Sequence, residues 1–136
     1  RAHDIGVLAY GPLAHGLLSG TMMAGTTFAP GDWRASSDMF RGEPYRRNLR
    51  VVDALQRFAE FELGTTISQL AIAWVLANPA VQVAIVGTRN LRHVDDAISA
   101  AGLKLDAAAM RRIDEITAAE VPVGGPSPEQ MPEGQA

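Results

Sequence analysis

The sequence has no cysteine in its 136 residues. Disulfides, thiolate nucleophiles and cysteine-held metal sites are thereby excluded, and the absence suits a cytoplasmic protein. No apolar run approaches the roughly 18 residues that a bilayer span needs, and no signal peptide is visible at the start. Positive charge is not in surplus: 12 Lys and Arg stand against 15 Asp and Glu, for a net charge of −3. Neither nucleic acid nor a membrane surface is therefore an expected partner, and any anion site must be local. There is no G-x-G-x-x-G turn, and His3, His15 and His93 are scattered without metal-ligand spacing. No metal centre is expected, and no internal repeat is present.

What remains is ordinary for a globular protein, with 47% apolar and 20% charged residues. The length allows one domain, which buries roughly two-thirds of the surface its unfolded chain exposes. The chain opens on Arg1 rather than methionine, with a strand-like run from Ile5, and reads as part of a longer protein.

Ile5 to Tyr10 is a nearly continuous apolar run closed by Gly11-Pro12, the pattern of a strand buried on both faces of a parallel sheet. Residues 11–48 follow neither period and mix Gly, Met, Pro and Arg with Phe28, Trp33, Phe40 and Tyr45. A connection this long is more often an active-site loop than a spacer. From Asn48 a helical stripe of Val51, Val52, Leu55, Phe58 and Ala59 runs to a stop at Gly64. Thr66-Ile-Ser-Gln69 matches a capping box that opens a second helix, with Leu70, Ala73, Trp74 and Ala77 on one face, ended by Asn78-Pro79.

Val81 to Val86 reads as a second buried strand. A third helix follows over about 91–101, with Leu91, Val94, Ile98 and Ala101 inward. Asp106 caps a fourth, whose inner face is Met110, Ile113 and Thr117. Residues 1–120 thus form the structured part and 121–136, rich in Pro, Gly, Glu and Gln, a flexible tail. Two strands leave unpaired edges and little sheet for four helices to cover, so this α/β pattern wants further strands.

Two strand-to-loop junctions carry chemistry. Tyr10-Gly-Pro-Leu-Ala-His-Gly16 places glycines where backbone can approach a ligand and hold phosphate oxygens. Alone, it reads first as a turn leaving a strand. Val86-Gly-Thr-Arg-Asn-Leu-Arg-His93 joins a strand to a helix N-terminus, where free N–H groups, the helix dipole, Thr88, Arg89 and Arg92 favour an anion. Alone, it is equally a solvated turn. Both follow C-terminal strand ends, where ligands sit in parallel α/β folds, so one phosphate-bearing ligand could span them.

Three segments then resemble, in order and spacing, the C-terminal half of aldo-keto reductases: Ile5–Gly20 (IGVLAYGPLAHGLLSG), Ile67–Leu76 (ISQLAIAWVL) and Ala84–Ala97 (AIVGTRNLRHVDDA). Asp32-Trp33-Arg34, Phe40 and Asn48 also look like a loop of this family, and the resemblance covers about residues 5–118. It implies the last two strands and helices of a (β/α)8 TIM barrel, with NADP(H) bound in extended form. Tyr10 then stacks on the nicotinamide, and Gly11, Pro12, Leu13 and Gly16 lie along the pyrophosphate. Gly87, Thr88 and Arg89 surround the 2′-phosphate and ribose, His93 lies near that phosphate, and Asp96 faces the adenine amino group.

Two positions depart from the family pattern: Gly11 stands where many members have serine, and Ala97 where asparagine is usual. The family's catalytic Asp, Tyr, Lys and His fall on earlier strands, before residue 1. No catalytic residue is therefore assigned in this chain, Tyr45 having no adjacent lysine, and the N-terminal half of the barrel is a required partner. Loop 21–47 is expected to cover the cofactor or shape the substrate pocket, with Trp33 and Phe40 equally explicable as packing anchors. The implied activity is NADPH-dependent reduction of small aldehydes or ketones by hydride transfer, the chain alone being inactive. A non-catalytic nucleotide sensor or accessory subunit, and an inactive truncated product, remain alternatives at this point.

Overall fold

A computed structural model describes residues 3, 5–88 and 90–118, with the backbone alone at Arg92. The expected tail, 121–136, and Arg89 lie outside the described residues. Six regular elements follow one another: β1 (Val7–Tyr10), α1 (Gly42–Glu62), α2 (Ile67–Ala77), β2 (Val81–Ile85), α3 (Leu91–Gly102) and α4 (Ala107–Ala118). β1 and β2 pair in parallel, with Tyr10 opposite Ile85, so both strands end at the same edge of the unit. The crossover that parallel pairing demands runs through α1 and α2.

Local chemistry explains most helix ends. Thr66 accepts from the Gln69 N–H at 3.2 Å, while the Gln69 side chain accepts from the Thr66 N–H at 3.2 Å, completing the capping box. Asp106 Oδ1 accepts from the Ala109 N–H at 2.7 Å and starts α4. Gly64 follows α1 at a φ of 62°, the left-handed turn that releases the chain toward α2.

The core lies between α1, α2, α4 and the segment after β1. It is built from Leu17, Phe40, Tyr45, Val52, Leu55, Phe58, Ile67, Leu70 and Ile113, with their neighbours. Gly20 is part of this closure: at a φ of 74°, a Cβ there would lie 2.9 Å from Ile67 Cγ2. Residues 11–41 are not an open loop. They wind through three short 3₁₀ turns: Ala14–Ser19 packs onto α2 and α1, Asp38–Phe40 onto α1, and Trp33–Ser36 onto Asp38–Phe40.

Several expectations are corrected. α1 begins at Gly42 rather than Asn48. Pro44 sits in its first turn, where an absent N–H costs no helical bond. Tyr45 accordingly belongs to a helix, not a loop: it is buried and its hydroxyl donates to the Met23 carbonyl at 3.0 Å. Trp74 and Ala77 are exposed on α2, whose buried residues are Ile67 and Leu70 to Ala73.

On α3, Leu91, Val94, Ile98 and Ala101 are exposed, and the helix buries Ala100 instead. The strands are also more exposed than a doubly buried pair: Leu8 is 62% and Tyr10 78% exposed. The cause is shared. α2 packs on β2 and α3 packs on α2. The exposed strand residues stay open to solvent, and Val94 and Ile98 of α3 border an open hollow shared with Leu76 and Val83.

Candidate nucleotide site at the ends of the paired strands

Register decides where the two loops go. Because Tyr10 pairs with Ile85, the chain leaves the sheet side by side at Gly11 and at Val86-Gly87. Sequence placed the two junctions at strand C-termini; the pairing makes them neighbours.

The first loop is tightly wound. Gly11 (φ 70°) and Gly16 (φ 97°) take left-handed conformations, and so do Ala14 (φ 46°) and His15 (φ 57°) between them, although both carry a Cβ. The Ala14 N–H donates to the Gly11 carbonyl at 2.9 Å. The Gly16 and Leu18 N–H groups converge on the Leu13 carbonyl at 2.9 and 3.1 Å. Pro12 is buried beneath the turn and Leu13 half-buried. A Cβ at Gly11 would meet nothing within 4 Å, so the backbone there is open to a ligand's approach. Tyr10 ends β1 with its ring exposed, edge-on to His15 at 6.1 Å between centroids. An apolar hollow of about 410 Å³ begins at Tyr10, Gly11 and Pro12 and continues between α1, α2 and α4.

The second loop is polar. Gly87, Thr88, Asn90 and His93 line an open hollow, and nothing lies within 4 Å of a Cβ built at Gly87. The Asn90 N–H donates to Thr88 Oγ1 at 3.1 Å and the Thr88 hydroxyl donates to the Asn90 carbonyl at 3.0 Å. The hydroxyl expected as a phosphate donor is thus engaged by the Asn90 backbone, and it shapes the loop leading into α3. His93 is exposed and Asp96 half-buried on α3. Glycine backbone, a helix start and an imidazole around a polar hollow form a donor set that suits phosphate oxygens.

Sequence reading did not single out what holds the first loop. Arg34 donates through Nε and Nη2 to the Asp32 carboxylate, at 3.0 and 2.6 Å, and through Nη1 to the His15 carbonyl at 3.1 Å. Its Cζ lies 4.6 Å over the Phe28 ring. Trp33, far from a buried anchor, stands half-exposed against the His15 ring at 4.8 Å; Phe40 is the anchor of the two. The only sequence signal was the Asp-x-Arg spacing.

Hydrogen bonds from the Arg34 side chain, then from its backbone N–H, hold the Asp32 carboxyl below the usual carboxylate range. Arg34 is raised in turn by the same side-chain bond. A folded value below the unfolded one, about 3.9, means that the pair's contribution is complete above that pH. It is lost as pH falls through the lower folded value. A carbon-13 titration of the Asp32 carboxyl should give a midpoint below about 3.9; a midpoint at or above it would contradict the pairing.

Comparison with known proteins agrees with this layout. The Aldo/keto reductase family model matches residues 1–118. Aldo-keto reductase str7 of Strobilurus tenacellus is 32% identical over 119 residues, covering 84% of this chain and 35% of that protein. Aldo-keto reductase yakc [NADP(+)] of Schizosaccharomyces pombe is 27% identical over 115 residues, covering 85% and 34%. The structure of the glycerol dehydrogenase AKR11B4 from Gluconobacter oxydans superposes with a TM-score of 0.83 at 31% identity, over 96% of this chain and 39% of that one. The chain therefore spans about a third of the length of the curated relatives it matches. No described helix is long and apolar enough to cross a membrane. With two parallel strands, their helices and both loops in the matched region, this chain belongs to the aldo/keto reductase family and forms part of its α/β barrel.

Proposed function

We propose that the chain is the cofactor-holding part of an NADP(H)-dependent aldo-keto reductase, an oxidoreductase of the cytoplasm acting on small aldehydes or ketones. The observation that carries this reading is the register of β1 and β2, which sets the Tyr10–Gly16 and Gly87–His93 loops side by side. A molecule with an aromatic ring at one end and phosphates along its length fits both. Tyr10 offers an exposed ring for the nicotinamide, and the open backbone at Gly11 faces the pyrophosphate. The polar hollow of Gly87, Thr88 and His93, together with Arg89, takes the 2′-phosphate end, with Asp96 toward the adenine. When bound, the cofactor supplies the hydride, and this chain's residues hold and orient it.

The proton donor of that reaction is assigned to the remainder of the barrel. Tyr45 is unsuited to it, being buried with its hydroxyl donating to Met23, and exposed His15 is already engaged by Trp33 and Tyr10. The name of the yakc relative, which carries NADP(+), supports the cofactor choice. Titrating the chain with NADPH should give saturable binding, with no reduction of a reactive aldehyde above a no-protein control. Failure to bind sinks the reading of the loops, and clear turnover sinks the assignment of catalysis to the rest of the barrel.

A further inference from the structure

We infer that Arg34, fixed by Asp32, is a positioning residue that holds the Ala14–Gly16 turn in its left-handed form and thereby sets Tyr10 and the Gly11–Gly16 backbone for the cofactor. The inference rests on the cofactor reading above. Three successive residues of the turn have positive φ, and two of them, Ala14 (46°) and His15 (57°), pay the steric penalty that glycine escapes. Such a conformation persists only where surrounding structure over-determines it.

The Asp32–Arg34 stretch supplies that structure from two sides. Arg34 Nη1 donates to the His15 carbonyl at 3.1 Å, the peptide group at the centre of the strained turn. Trp33 meets the His15 ring edge-on at 4.8 Å, and that ring meets Tyr10 in turn at 6.1 Å. Main chain and side chain of His15 are therefore gripped by consecutive residues.

The guanidinium is itself immobilised. Asp32 receives its Nε and Nη2 hydrogens, and also the Arg34 backbone N–H at 3.0 Å. Phe28 lies beneath its plane. With the other two nitrogens occupied, Nη1 is left pointing at the turn. A Cβ added to Gly16 would stand 3.6 Å from Nη1, ordinary contact, and 3.2 Å from Met22 Cε, so the clasp lies directly against the turn, and it is the φ of 97° that favours glycine there. A lysine cannot reproduce this, because its single ammonium cannot hold a planar fork on one side and a fixed donor on the other.

The test compares Asp32→Asn and Arg34→Lys with the unaltered full chain. NADPH affinity is expected to fall about tenfold in each, the scale of one charge-assisted hydrogen bond. Charge alone predicts the opposite signs: Arg34→Lys keeps its cation and would bind normally, and Asp32→Asn removes an anion and would bind a phosphate ligand more tightly. Without nucleotide, strong intraresidue HN–Hα NOEs at Ala14 and His15 report positive φ, and these should weaken in both variants while the cooperative thermal transition is kept. Should Arg34→Lys lose that transition, Asp32→Asn decides the matter. Unchanged or tighter binding by Asp32→Asn, or NOEs that persist, would overturn the clasp and leave the cofactor reading standing. An unaltered chain that binds no NADPH overturns that reading instead, and the NOEs then still decide the clasp.

Discussion

Phe58→Ala should lower the unfolding free energy by about 3–5 kcal/mol, whereas Phe61→Ala on the same helix should change it by no more than about 0.5 kcal/mol. Phe58 is 5% exposed and Phe61 82%. Phe58 faces the core shared by α1 and α4, where Ala59, Ala109 and Ile113 also lie. Removing its ring loses the transfer energy of the side chain and leaves a cavity that two packed helices cannot close. Phe61 turns its ring to solvent, so truncation there removes little that folding had buried. Urea unfolding of the two variants measures the difference. A pair of equal midpoints would mean that α1 does not pack through the face described.

Arg89→Ala should weaken NADPH binding by about tenfold to a hundredfold and leave NADH binding nearly unchanged. The two nucleotides differ by the 2′-phosphate, and a guanidinium is the side chain best matched to two of its oxygens. Gly87, Thr88 and His93 border the polar hollow to which that phosphate is assigned. An arginine in the same loop would add a fixed positive charge beside the hollow. Parallel titrations with the two nucleotides provide the measurement. Equal loss for both would show Arg89 acting on the shared part of the cofactor or on the fold. The 2′-phosphate assignment would then fall.

Both experiments draw on features of different legibility. The inward place of Phe58 was written in a 3.6-residue stripe, and the capping box at Thr66 and Gln69 in a four-residue spacing. The Asp106 cap and the Gly64 turn are equally local. The start of α1 was hidden because Arg41, its N-cap, makes no side-chain capping bond. The apolar stripe of α3 misled for another reason: Val94 and Ile98 are patterned for burial, yet they border an open hollow shared with α2 and β2 and stay exposed, and α3 buries Ala100 instead.

The two loops were visible as glycine-bearing junctions after apolar runs, but their adjacency came from the parallel register. Of the clasp, only the Asp-x-Arg spacing was visible. Its geometry joins residue 34 to a carbonyl nineteen positions earlier, a separation that no local pattern announces.

What the sequence determined by itself, then, is everything whose physics is short-range: helix periods, caps, stops, the charge balance and the residue types at both strand ends. The tertiary structure decided which strand ends meet, which apolar faces find a partner and what holds the strained turn. Those outcomes depend on pairing and packing between segments far apart in the chain, and such contacts leave no period in a sequence.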